Sequence, residues 1–553
     1  MDSIQGRGAV LRGDAGRREA EVCAEESPAI QPEDLRSGIL PGCPRRAGAP
    51  IMRRVKPPLT CSHLSRRQFA KTLGAAALTA PFIARNLRAA PPSTVLRHAS
   101  FGASGQAWND IQAICSNPFV KLVAVADVDL GKVANVKATF PDVKIYQDWR
   151  ELLDQEGNHL DSVNVSTPDH MHAPIALSAM QLGKHCYCEK PLAHDLHEVR
   201  VMTDYARGKK LVTQMGIQIH SQKVYRQAVA IVHSGVIGKV KEVHTWSNKK
   251  WGAAGAPPVS TDPVPEGFNW DLWTGRCAER PFVGHGYYHP GNWRKRLDFG
   301  TGTFGDMGCH IFDPVFESLA LTAPLSLRSE GPAPDAWNWA INANIRYVFP
   351  GTKYTAGPTV EVTWHDGDSR PPAEIQALIA VPAPADETPA AKKRAASLLE
   401  QGSIIIGTEG VLHVPHIATP RLFPVEKYRD YKLPEVVGTH HWSDWAEACV
   451  GGPGKPTAGF DYSGPLTEAV LLGSVAVRFP ETTLEWDSAK LAFTNEKAAN
   501  AFVRSAYRKG WGVAGLCARR SGGLLLLPQG RDRMERGRAA RGQPACKRPD
   551  RDE

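Results

Sequence analysis

Four short segments of this 553-residue chain hold residue types that do chemistry, each close to a short apolar run. The first reads His98-Ala-Ser-Phe-Gly-Ala-Ser-Gly-Gln-Ala107, between an apolar start and a helical stretch. Gly102 and Gly105 fill the second and third places of a G-x-G-x-x-G spacing, and Ser100 stands in the first. Glycines there let backbone N–H groups approach a pyrophosphate at a helix N-terminus. Phe101, Gly102, Ser104 and Gly105 are therefore candidate cofactor contacts. With one place altered, the spacing alone is weak. Asp127 adds to it by closing the next apolar run, where a carboxylate meets the ribose of a dinucleotide. An acid there repels an extra phosphate, so NAD is expected rather than NADP. The lesser alternative for Asp127 is a strand-end turn carboxylate.

The second segment is Val163-Asn-Val-Ser-Thr-Pro-Asp-His-Met-His172. Polar residues at the carboxyl end of a parallel strand face the ligand crevice, which makes Thr167, Pro168 and His170 candidate contacts. His170 and His172 lack a thiolate or third ligand nearby, and no metal is expected. The third is Glu189-Lys190-Pro191. A lysine at a strand edge is able to touch both a nicotinamide and a substrate hydroxyl, stabilising an alkoxide or relaying its proton. Taken alone, the tripeptide is more often a solvated surface lysine. The fourth joins Asn292-Trp293-Arg294 to Gly300-Thr-Gly-Thr-Phe-Gly-Asp306-Met-Gly-Cys-His310-Ile-Phe-Asp313. Asp306, His310 and Asp313 are spaced four and three, so on a helix they share a face. A histidine beside a carboxylate is an acid–base device near neutral pH.

These segments need elements to hold them. Over residues 93–214, a short strand at Val95-Leu96, a helix around Trp108–Cys115, and strands at Leu122–Ala126, Val163–Val165 and His185–Cys188 alternate. Short apolar strands interleaved with helices predict a parallel sheet covered on both faces. From about residue 236 the pattern turns β-branched or alternating, at Val240–Trp246, Ile341–Phe349, Val360–Trp364 and Ile404–Ile406. That predicts a largely antiparallel sheet in a second domain, residues 215–512. Pro382–Lys393 reads as an exposed loop.

The net charge of +9 does not point to nucleic acid, because the stretch from Ala514 carries ten Lys/Arg against five Asp/Glu and no nucleic-acid motif accompanies it. Residues 513–553 read as a disordered basic tail, and 1–51 as a disordered or spurious extension. From Met52, a basic stretch, Ser65-Arg66-Arg67-Gln68-Phe69, an apolar run to Ile83 and the small residues Ala89 and Ala90 have a signal-peptide layout. The paired arginines resemble a twin-arginine signal over 52–92, which implies the twin-arginine export machinery as partner and a periplasmic or otherwise exported protein. A cofactor loaded before export has to stay bound.

Over roughly 94–512 the order of these segments resembles the glucose–fructose oxidoreductase / inositol dehydrogenase (Gfo/Idh/MocA) family. Thr167-Pro168-Asp169-His170 is similar to its nicotinamide-side loop, and Glu189-Lys190-Pro191 to its lysine motif. Asp306 and His310 are similar to its D-x-x-x-H pattern. The resemblance implies an α/β chain, with an N-terminal Rossmann-type doubly wound parallel sheet and a C-terminal α+β domain with a large, mostly antiparallel open sheet. It implies hydride transfer between nicotinamide and a sugar or polyol. Lys190, His310 and Asp306 would be catalytic. Glu189 and Lys190 would lie beside the cofactor, and Trp293, Arg294, Asp306 and His310 beside the substrate. It also implies a homo-oligomer. Two other readings stay open: glycoside cleavage by transient oxidation and elimination, which needs NAD but consumes none, and a catalytically silent sugar-binding protein.

Overall fold

The computed structural model describes residues 95–381 and 398–517. The N-terminal extension, the signal-like segment 52–92, the loop Pro382–Lys393 and the tail beyond Cys517 lie outside the described residues.

Six strands form a parallel sheet: β1 (Leu96–Phe101), β2 (Val120–Ala126), β3 (Lys144–Tyr146), β4 (Ser162–Val165), β5 (His185–Glu189) and β6 (Thr213–Gly216). Their order is β3-β2-β1-β4-β5-β6. The chain therefore switches sides between β1 and β4, and loops leaving those strands diverge to open a crevice at their carboxyl ends. The first strand is longer than the sequence suggests, running through His98 and Ser100 to Phe101. Both polar residues are buried, yet each has partners. The His98 ring nitrogens lie 2.9 Å from Ser162 Oγ and 2.9 Å from Asn164 Oδ1, and Ser100 Oγ donates to the Gly102 carbonyl at 2.8 Å. Those bonds let polar residues occupy the centre of a sheet.

A second sheet has the order β13-β12-β11-β7-β10-β9-β8-β14-β15. Its strands are β7 (Val240–Ser247), β8 (Ser326–Ser329), β9 (Asn344–Pro350), β10 (Thr359–Asp366), β11 (Gln401–Gly407), β12 (Val411–Pro415), β13 (Arg421–Phe423), β14 (Thr483–Asp487) and β15 (Ala492–Phe493). Among them only β7 and β10 pair in parallel. On β9 and β10 the alternate residues Ile345, Tyr347, Phe349, Val360, Val362 and Trp364 are buried. That face packs on the helices Gly302–Ile311 and Phe460–Ala476. The Phe304 and Trp364 rings lie 4.6 Å apart, and Tyr347 OH donates to the Ala469 carbonyl at 2.9 Å. Gly473 permits this approach, since a Cβ there would lie 2.2 Å from Tyr347 OH.

Two expectations change. The helix carrying Asp306 and His310 ends at Ile311, and Asp313 opens a separate helix, Asp313–Ser318. Asp313 is fully buried, 2.9 Å from His220 Nδ1 and bonded to Tyr462 OH, so it does not share a face with the other two. The ordered chain also continues past 512. Val513 and Leu516 are buried, and the carbonyls of Ala514 and Leu516 accept bonds from Gln181 and Arg504, each at 2.7 Å.

Candidate active site

At the switch between β1 and β4 lies a cavity of about 430 Å³. One end is the turn after β1. Gly102 has φ 106°, and a Cβ there would stand 2.7 Å from the Ser166 carbonyl oxygen and 2.8 Å from the Ala107 Cβ. Only glycine lets the turn pass so close to the neighbouring loop. Gly105, φ 57°, faces open space and begins the helix Gln106–Cys115, whose N-terminus no side chain caps. Ser100 does not loosen this turn, because its hydroxyl holds the Gly102 carbonyl. Phe101, Gly102, Ser104 and Gly105 all line the cavity. So does Asp127, whose Oδ2 accepts from the Ala103 N–H and Oδ1 from the Asp129 N–H, each at 2.9 Å. Burial pushes its carboxyl up to about 6, against those two hydrogen bonds. Each oxygen keeps a lone pair for a ligand hydroxyl.

The far wall comes from the second domain. The Asn269 N–H donates to the Val128 carbonyl at 2.9 Å, and the Leu130 N–H to the Gly267 carbonyl at 3.0 Å. His289 Nε2 lies 3.2 Å from Asp129 Oδ2. Lys132, Gln147 and His289 line this end, and nothing in their spacing marks them in the sequence.

Loops after β4 and β5 form the other end. Thr167, Pro168, Glu189 and Lys190 line it, and the Thr167 hydroxyl is buried with no partner among the described residues. His172 joins the two loops, its ring nitrogens 2.7 Å from the carbonyls of Pro191 and Thr167. His170 does not line the cavity. It is buried on the opposite side of its short 3₁₀ turn, with Nε2 2.9 Å from the Trp273 carbonyl and its ring 5.0 Å from that of Phe299. The turn aims Asp169 and Met171 at the cavity instead.

Lys190 Nζ donates to the Asp306 carbonyl at 2.8 Å and to Asp306 Oδ1 at 2.9 Å. Arg294 Nε donates to the same Oδ1 at 3.1 Å. Burial alone would raise the Asp306 carboxyl, but Lys190 and Arg294 outweigh it and hold it well below the usual range. His310 lines the cavity one turn on from Asp306. Burial, with Lys190 and His416 nearby, pushes its imidazole well below the usual value, so it is neutral at pH 7. Two further acids face this end. Burial raises Asp169 to about 7 despite a 2.7 Å bond from Thr301 Oγ1. Burial and then the neighbouring Asp110 carry Glu189 well above its usual value, while Gln218 donates to it at 2.8 Å. Gly216 makes room for Glu189, since a Cβ there would meet Oε1 at 2.2 Å. Trp273, Trp293, Trp270, Tyr287 and Tyr288 belong to one aromatic cluster, and of these Trp273 and Trp293 line the cavity.

The sheet order and the glycine turn are those of a Rossmann-type domain, joined here to a second α/β domain across the cavity. Residues 96–217 match the family described as "Oxidoreductase family, NAD-binding Rossmann fold", and residues 222–356 match "Oxidoreductase family, C-terminal alpha/beta domain". The chain belongs to the Gfo/Idh/MocA oxidoreductase family. It is similar to levoglucosan dehydrogenase of Pseudarthrobacter phenanthrenivorans, 30% identical over 214 residues, covering 38% of this chain and 46% of that protein. It is also similar to alpha-N-acetylgalactosaminidase of Shewanella oneidensis, 27% identical over 206 residues, 32% of this chain and 44% of that protein. The matched part thus spans less than half the length of each. Among solved structures, GenD2 from gentamicin A biosynthesis, in complex with NAD, aligns over 72% of this chain and 99% of its own with 14% identity and a TM-score of 0.47.

Proposed function

We propose that the protein is an NAD-dependent oxidoreductase acting on a CH–OH group of a sugar or polyol. The observation that carries this reading is Lys190, pinned by both the backbone and the carboxylate of Asp306, at the same cavity end as a neutral His310. The residues present fit the cofactor. The Gly102 cradle and the uncapped helix after Gly105 suit a pyrophosphate, Asp127 suits an unphosphorylated ribose, and the orphaned Thr167 hydroxyl lies at the other end. NAD, when bound, supplies the acceptor for the hydride that leaves the substrate carbon. Lys190 has one N–H left after its two bonds to Asp306, and that proton and its charge stabilise the substrate oxygen as it becomes an alkoxide. His310 has no hydrogen bond to its ring among the described residues and is free to take the hydroxyl proton. Denaturing the purified full chain and assaying the supernatant for nicotinamide by absorbance and mass spectrometry tests the reading. Stoichiometric NAD(H), or tight binding on titration, supports it; neither would leave a silent binding protein.

A second reading, redox-assisted glycoside cleavage, is favoured by the similarity to the galactosaminidase. It predicts glycoside hydrolysis with no accumulation of NADH. We further propose export through the twin-arginine route, on the Arg66-Arg67 pattern. Replacing both arginines by lysine should leave the protein unexported, and N-terminal sequencing of the exported form locates the cleavage point. A homo-oligomer, implied by family resemblance, is testable by light scattering on the purified chain.

A further inference from the structure

Lys190 and Arg294 are both cationic and both lean on one carboxylate, that of Asp306. The two other acids there, Asp169 and Glu189, are pushed by burial towards their neutral forms. Arg294 also has an unused face. Only Nε is engaged, by Asp306 Oδ1, and neither Nη group meets an acceptor among the described residues. The guanidinium is nevertheless held in place. Its carbon lies 4.3 Å from the Trp293 ring centre and 5.4 Å from that of Trp251, and its side chain is 29% exposed. Arg294 lines the same cavity as Lys190 and His310. A guanidinium that served only to anchor Asp306 would have no need of an open, immobilised Nη edge.

We propose that the substrate carries a carboxylate, and that this cavity binds a sugar acid through the Nη edge of Arg294 while Lys190 and His310 meet the reacting hydroxyl. The proposal rests on reading the cavity as an oxidoreductase substrate site. A planar carboxylate uses both Nη donors of a fixed fork, which a single hydroxyl does not.

The test is calorimetric binding to the full chain saturated with NADH. The probes are D-glucuronate against D-glucose, D-galacturonate against D-galactose, D-gluconate against D-glucitol, and glucose 6-phosphate. At least one acid should bind about 10- to 100-fold tighter than its neutral counterpart, as expected of charge-assisted bidentate bonds. That preference should shrink with added salt, vanish in Arg294→Gln and return in part in Arg294→Lys. A melting curve shows whether each variant is folded, and the lysine variant keeps the charge where glutamine does not. If no acid outbinds its neutral partner, if the preference survives Arg294→Gln, or if the phosphate binds tightest, the proposal is wrong. NADH uptake is measured first by its fluorescence. Failure there overturns the oxidoreductase reading, and the same titrations without cofactor still decide whether the cavity selects a carboxylate.

Discussion

Asp306→Asn removes one charge while leaving the shape of the side chain unchanged. Both Lys190 Nζ and Arg294 Nε bond to the same oxygen, Oδ1, at 2.9 and 3.1 Å. An asparagine keeps that oxygen as its amide carbonyl, so both hydrogen bonds survive and only the counter-charge is lost. Two cations then stand in a largely buried site, 13% and 29% exposed, without the carboxylate that both of them contact. Removing one member of such a group costs about 3–5 kcal/mol when fully buried, and about 2–3 kcal/mol is expected here because Arg294 reaches solvent. The loss should depend on pH with a definite sign. The folded-state value of Asp306 lies below its unfolded value of about 3.9, so its contribution is complete above about pH 5 and fades as pH falls towards the folded value. Titration of Asp306 itself should therefore add no pH dependence to the gap between wild type and Asp306→Asn from pH 8 to 5. Below about pH 4 it should shrink by about 1.4 kcal/mol per unit. Urea unfolding of both proteins at pH 7, 5, 4 and 3 measures it. Equal stabilities at pH 7, or a gap as wide at pH 3 as at pH 7, would refute the idea that the Asp306 charge holds Lys190 and Arg294.

Lys190→Ala should leave NAD bound and the fold intact while lowering kcat by about 10²–10³-fold or more, seen by assaying cofactor content and turnover on the same preparation. His310→Gln should cost about 10²–10⁴-fold in kcat. Because His310 is already neutral, the wild-type rate should show no inflection from its titration between pH 6 and 8. Gly102→Ala forces a Cβ against the Ser166 carbonyl at a positive φ, which costs about 1–3 kcal/mol, so NAD affinity should fall about 10- to 100-fold in a fluorescence titration.

The parts of this site that are legible in the sequence are those where local chemistry leaves little choice. Gly102 follows a strand and precedes a helix, and the crowding at Ser166 shows why nothing larger fits. Asp306 and His310 share a helix face because four residues make about one turn. The same arithmetic fails for Asp313, where Phe312 ends one helix and Pro314 in the first turn of the next restarts the count. The place of His170 after a strand predicts it at the crevice, but the 3₁₀ turn Asp169–Met171 rotates Asp169 into the cavity and His170 out of it. His289, Lys132 and Gln218 come to the site from residues far apart in the chain, through pairings such as Asn269 with Val128 that no local pattern encodes. Ser100 shows a departure from a motif whose effect cannot be judged before the neighbours are known. In isolation it weakens the glycine turn. In place it is a strand residue whose hydroxyl holds the Gly102 carbonyl, so the turn keeps its shape through a side-chain bond where a glycine would rely on backbone freedom. That substitution should make the turn stiffer.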